Sequence, residues 1–251
     1  MSGYNYKIVI QYDGTKYHGW QTQRSTDMTI QGKLQALISK LAGYEVDVIG
    51  SGRTDAGVHA IGQVANFHLK ECIDEKELMN SINQYLPEDI AVTDISIVAD
   101  DFHARYSAIS KTYRYRIYLG KYSNVFERKY VYTYKGKDLD VLKMKEAATY
   151  MLGKQDYKSF CGNKHMKKST VRNVMSINIC ERPDEIVIEY TGDGFLQNMI
   201  RIMTGTLIEV GNGTKAVSDI KKIIEAKDRE QAGYTAPASG LSLVKVDYRE
   251  L

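Results

Sequence analysis

The spacing of apolar residues switches repeatedly along this chain, from every second position to every third or fourth and back. No other feature constrains the fold as much, because a strand buries alternate residues while a helix buries i, i+3 and i+4. KIVIQYD, from Lys7 to Asp13, is β-branched and runs into Gly14, which reads as a strand and a turn. TIQGKLQALISKLAG then sets Ile30, Leu34, Leu37, Ile38 and Leu41 on one helical face, with Gly43 as the stop. YEVDVIGS and QVANFHL read as strands. In DEKELMNSINQYLP, Asp74 and Glu77 have capping-box spacing, Leu78, Ile82 and Leu86 share a face, and Pro87 ends the helix. IAVTDISIV is again a strand.

The second half repeats the alternation. In KTYRYRI, Tyr113, Tyr115 and Ile117 fall on one side and Arg114 and Arg116 on the other, the pattern of a half-buried strand. A helix is expected from Asp140 to Leu152, closed by Gly153, followed by strands near 171–180 and 185–191. FLQNMIRIMTGTLIEVG has Phe195, Met199, Ile200, Met203 and Leu207 at helical spacing. A short helix capped by Ser218 and a last strand, LSLVKVDY, complete the chain. The mixed order with short connections predicts an α+β fold with mainly antiparallel sheet. YKIVIQY echoes YRYRIYL, and each is followed by a strand and a turn of glycine and aspartate, RTDAGV and TGDGFL. Two related halves follow from this, residues 1–107 and 108–251.

Composition narrows the class. The longest apolar runs fall far short of the roughly 20 residues that span a bilayer. The start shows no basic segment followed by an apolar core, so a cytoplasmic protein without a membrane is expected. Cys72, Cys161 and Cys180 are odd in number and form no CxxC pair, which supports neither a disulfide framework nor a cysteine zinc site. The net charge of +3 does not by itself mark a nucleic-acid binder. Its distribution does more. From Lys111 to Lys137 there are eight Lys or Arg and one acid, with seven tyrosines between them, and KHMKKSTVR, 164–172, has four Lys or Arg and no acid. Cations beside rings suit phosphates and bases.

GSGRTDAGVHA, residues 50–60, carries the densest chemistry. Glycine-rich turns with an Asp are often only turns. A P-loop would need a lysine that is missing here, and GSGRTDAG departs from the dinucleotide-binding spacing. His59, His68 and His103 have no metal-ligand spacing. What remains is a positioned carboxylate. Asp55 could act as a nucleophile if ionised and aimed, and a nearby arginine favours the ionised form. Arg53, two residues away, would share its face on an extended backbone, or reach outward to RNA. Arg201 stands among Met and Ile on a helix, a setting that calls for a partner.

GSGRTDAGVHA resembles the signature of the TruA-type tRNA pseudouridine synthases. YDGTKYHGWQTQ, TIQGKLQ, NQYLPEDI, DFHARYSAISKTYRYRI, FLQNMIRIMTGTL and AGYTAPASGLSLVKVDY resemble that family's segments in the same order, over about residues 6–248. Gln197 departs from the family pattern. The resemblance implies two α/β subdomains whose sheets join into one extended sheet, with helices outside and an active-site cleft between the halves. It implies isomerisation of uridine to pseudouridine at positions 38, 39 and 40 of the tRNA anticodon stem-loop, by a homodimer and without a cofactor or metal. Asp55 would be the catalytic carboxylate. Tyr113 would stack on the uracil, Arg201 would pair with the catalytic Asp, and Arg53 would enter the space left by the flipped nucleotide. Leu241 or Leu243 would add an apolar wall. Three alternatives stand beside this reading. One is a paralogue with another RNA target, and one is a binder that has lost the reaction. The third is a hydrolase pairing Asp55 with Asp193, which would need a second acid or base across the sugar.

Overall fold

The structure, a computed structural model, describes residues 3–249. Ten strands and five α-helices lie in them, an α+β architecture. The chain forms two compact units, Met1–Ile109 with Leu243–Leu251, and Ser110–Ser242.

In the first unit β1 (Tyr4–Tyr12) runs antiparallel between β3 (His59–Leu69) and β4 (Ile90–Val98), and the two-residue β2 (Ile49–Gly50) pairs with β3. On the other side of β3 lies β10 (Leu241–Tyr248), whose residues from 243 belong to this unit. Helices α1 (Ile30–Ala42) and α2 (Glu75–Tyr85) bury Ile30, Leu34 and Ile38, and Leu78 and Ile82. Those side chains join Tyr6, Ile8, Ile10 and Phe67 in the core. Each buried aliphatic stabilises the fold by about 1.5–3 kcal/mol relative to exposure. Thr29 caps α1 through the amide of Gly32, and Gly43 ends it at φ 76°. Asp74 caps α2 by accepting from Glu77 N, while the carboxylate of Glu75 accepts from Ile97 N at 2.7 Å and ties the helix to β4.

YEVDVIGS is a strand only at Ile49 and Gly50. The reason lies in polar side chains of α1. Val46 N donates to Ser39 Oγ at 2.9 Å, and Val48 O accepts from Gln31 Nε2 at 2.8 Å. Main-chain groups that a ladder would have used are satisfied by the helix, while Val46 and Val48 stay buried.

The second unit holds β5 (Ala108–Tyr118), β6 (Tyr132–Thr133), α3 (Val141–Tyr150), β7 (Gly153–Asp156), β8 (Val171–Arg182), β9 (Glu185–Gly192), α4 (Met199–Gly211) and α5 (Asp219–Ala226). Its strand order is β5-β9-β8-β7, antiparallel, with β6 added parallel to β5. The alternation read in KTYRYRI is present: Tyr113, Tyr115 and Ile117 are buried, and Arg114 and Arg116 pair with Glu189 and Glu185 of β9. Helix α4 is buried along nearly its whole length, as an apolar helix must be. It begins at Met199 rather than Phe195, because Asn198 adopts a left-handed conformation, φ 58°. Helix α3 lies where expected, with Asp140 as its N-cap, but it ends at Tyr150, and Gly153 starts an unanticipated polar edge strand, β7. Ser218 makes no side-chain cap for α5, and the Asp219 carboxylate instead accepts from Ala216 N at 3.0 Å.

Candidate active site

The stretch 50–60 is a built loop. Ser51 N donates to Val64 O at 2.7 Å, Ser51 Oγ to Gln63 Oε1 at 2.7 Å, and Gln63 Nε2 back to Gly52 O at 3.1 Å. Buried Thr54 shares a 2.8 Å hydrogen bond with the Tyr12 hydroxyl, and its carbonyl accepts from Trp20 N at 3.1 Å. Asp55 then opens a β-turn: Val58 N donates to Asp55 O at 3.1 Å, with Gly57 at φ 76° in the third position. A type II turn demands a positive φ there, which glycine accepts without a Cβ clash. Gly57 N is bound in turn by Tyr17 O at 3.2 Å. The glycines therefore shape the turn, and the bonds on either side of Asp55 fix the backbone that carries it. Asp55 itself is half-buried.

The buried Tyr12 phenol is pushed up to about 12 by desolvation, so it stays neutral and keeps its bond to Thr54 at ordinary pH. Tyr17 donates to Asp89 Oδ1 at 2.5 Å, and burial and that carboxylate both raise its phenol. The amide of Gly14 donates to His59 Nδ1 at 3.1 Å, so the 3₁₀ turn at Gly14–Lys16 is pinned to the start of β3.

Arg53 is exposed, and its Nε donates to Gln21 Oε1 at 3.0 Å. Gln21 Nε2 donates to Gln31 Oε1 at 2.7 Å, and Gln31 is anchored on Val48 O. This amide relay holds one edge of the guanidinium. Among the described residues nothing accepts from its two Nη groups, which leaves the forked edge of the guanidinium for an anion. The sequence reading missed Gln21 and Gln31, although both lie in the quoted YDGTKYHGWQTQ and TIQGKLQ.

In the second unit Tyr113 lies on β5 opposite Tyr190 and is 7% exposed. The ring of Phe195 meets it edge-on, with centroids 5.4 Å apart at 84°. Helical spacing in the sequence includes Phe195, but α4 begins only at Met199, and its place outside the helix lets the ring pack there. Arg201, half-buried on α4, donates from Nε to Ala236 O at 2.7 Å and from Nη1 to Asn198 Oδ1 at 3.0 Å, while Ala236 N donates to Arg201 O at 3.1 Å. The segment before β10 is thus clasped to α4. The clasp is tightened where Gly233 N donates to Thr206 Oγ1 at 2.9 Å. Leu241 and Leu243 are buried, and the Asp193 carboxylate accepts from Asn173 N at 2.9 Å. Thus Arg53 and Asp55 sit together on one loop, and Tyr113 and Arg201 on β5 and α4 of the other unit. Among the described residues no group of three or more His, Cys, Asp or Glu could hold a metal, and no helix is long and apolar enough to cross a membrane.

A fixed carboxylate on a glycine turn is a local feature, and the comparisons with known proteins extend it to the whole chain. A family model described as tRNA pseudouridine synthase matches residues 8–107 and 147–249. A tRNA pseudouridine synthase A 2 of Bacillus anthracis is 46% identical over 244 residues, covering 97% of this chain and 99% of its own. A tRNA pseudouridine synthase A of Acetivibrio thermocellus is 45% identical over 245 residues, covering 97% and 99%. Among solved structures, the archaeal box H/ACA sRNP Nop10-Cbf5 complex aligns with 90% of this chain and 59% of its own, at 14% identity and a TM-score of 0.35. Nearly full-length identity on this scale, with the matched residues spanning the loop of Asp55 and the helix of Arg201, places the chain: it belongs to the tRNA pseudouridine synthase family.

Proposed function

We propose that this protein isomerises uridine to pseudouridine in the anticodon stem-loop of tRNA, at positions 38, 39 and 40, with Asp55 as the catalytic carboxylate. Family membership supports an isomerase acting on tRNA. The observation that carries the choice of Asp55 is its seat. It is a half-buried carboxylate on a type II turn whose backbone is bonded to Trp20, Tyr17 and Val58. A group so held needs little reorganisation to act, which is the condition for efficient nucleophilic or base catalysis.

The reaction conserves atoms and electrons. The bond from ribose C1′ to uracil N1 breaks, the uracil turns, and C1′ bonds to C5. The C5 proton leaves and N1 gains one, so no donor or oxidant is consumed. Asp55 serves the ribose or the base in this exchange. By family resemblance Tyr113 stacks on the uracil, Arg201 favours the ionised carboxylate, and Arg53 fills the place of the extruded nucleotide. Extrusion costs a few kcal/mol, which stacking and phosphate contacts offset. The homodimer belongs to the same reading.

Pseudouridine mapping on unmodified tRNA, with tritium release from C5-labelled uridine, tests it. Wild type forms pseudouridine at 38–40, and Asp55→Ala binds the same tRNA and forms none. Undiminished conversion by Asp55→Ala would remove Asp55 from the chemistry, and conversion elsewhere in the tRNA would move the target.

A further inference from the structure

The loop between β5 and β6, residues 119–131, is anchored by buried Val131 and turns Tyr122, Val125 and Phe126 outward. Phe126 is 94% exposed, Tyr122 75% and Val125 62%. The loop is nevertheless closed by its own bonds. Lys135 Nζ donates to the carbonyls of Gly120 and Lys121, at 3.2 and 2.8 Å. Glu127 N donates to Asn124 Oδ1 at 3.2 Å, Tyr130 N to Glu127 O at 2.7 Å, and the Arg128 guanidinium to Val125 O. The Glu127 carboxylate is held by Arg116 of β5. These bonds brace the main chain while two aromatic rings stand in water, and exposed rings on a braced support mark an interaction site.

Charge selects the partner. Residues 119–137 contain Lys121, Arg128, Lys129, Lys135 and Lys137 against the single acid Glu127, which Arg116 already neutralises. Lys121 Nζ sits 5.5 Å from the Tyr122 ring centroid. Flat rings interleaved with cations match unpaired nucleotides, whose bases stack while their phosphates meet the cations.

We propose that the 119–131 loop is an RNA contact of its own, stacking an unpaired tRNA base on Tyr122 or Phe126, separate from the uridine that reacts. This rests on the tRNA reading above and adds to it a surface that contributes affinity without chemistry. Both rings are exposed, so the double variant Tyr122→Ser/Phe126→Ser keeps its fold. Its expected behaviour is about tenfold weaker binding of unmodified tRNA with a matching rise in KM and unchanged kcat at saturation. The conservative pair Tyr122→Phe/Phe126→Tyr restores wild-type affinity. Lys121→Ala weakens binding and flattens its salt dependence. Unchanged Kd and KM in the double variant would overturn the proposal. So would unchanged RNA affinity with altered sedimentation of the protein alone, which would make the loop a contact between copies. Were the wild type to form no pseudouridine, the function would fall, and the binding comparison on tRNA would still decide the loop.

Discussion

Thr54 precedes Asp55, and its side chain is sealed from water with the Tyr12 hydroxyl as partner. Tyr12→Phe removes that partner and keeps the ring, leaving a buried hydroxyl short of a bond. The expected cost is about 1–3 kcal/mol in denaturant unfolding. A neutral result would mean that the loop has another brace. Arg53 depends on Gln21 in a different way, because its bond to that amide sets a direction more than it adds stability. Gln21→Ala and Arg53→Ala should each raise KM for tRNA. Their double variant should be no worse than Arg53→Ala alone, a coupling of about 1 kcal/mol in a double-mutant cycle. Additive losses would show that Gln21 does not act through the arginine.

Helix α4 owes its place to close approach as much as to its apolar surface. A Cβ on Gly205 would lie 1.9 Å from Tyr234 O. Glycine to alanine inside a helix ordinarily stabilises by about 1 kcal/mol. Here Gly205→Ala should instead destabilise by about 1–3 kcal/mol, since the 229–236 segment must retreat and give up the bonds of Gly233 and Ala236. Thermal unfolding and limited proteolysis of residues 229–240 check this, and a raised Tm would refute it. Most elements were legible because burial follows the period that the sequence announces: β5 alternates, and α1 buries Ile30, Leu34 and Ile38. The departures come from competition that a local pattern does not contain. Residues 44–48 lose their ladder to Ser39 and Gln31, and α4 loses its first turn to the left-handed Asn198. β7 is polar and exists through pairing with β8, which no periodicity reveals. In the candidate site, composition and family signature together single out Asp55 and Arg53, which the structure places on one loop. They do not single out Gln21 and Phe195, because a hydrogen-bond relay and an edge-on ring are matters of tertiary placement.

Across the whole molecule, tyrosine decides the alkaline limit. Tyr12, Tyr115, Tyr157 and Tyr190 are all buried, and desolvation raises each phenol, that of Tyr12 to about 12. Below the unfolded value near 10 these phenols are neutral in both states and their full contribution is present. Above it the unfolded chain ionises while the folded one does not. Stability should therefore fall by about 1.4 kcal/mol per pH unit for each such group, for Tyr12 until about pH 12. Urea unfolding from pH 8 to 11 measures the slope, and Tyr12→Phe should remove one group's share. A flat profile would contradict the burial of these hydroxyls.

The first unit also takes in residues 243–248, where the Tyr248 hydroxyl donates to Ala104 O at 2.7 Å and its ring meets Phe102 at 5.0 Å. The second unit, by contrast, is one unbroken run of chain. Emerging from the ribosome, the first unit therefore cannot be complete until the whole second unit has been synthesised. The carboxylate loop is made early, in a sheet that lacks the strand beside β3. That sheet waits, with an open edge, through the synthesis of the whole second unit before its missing strand arrives.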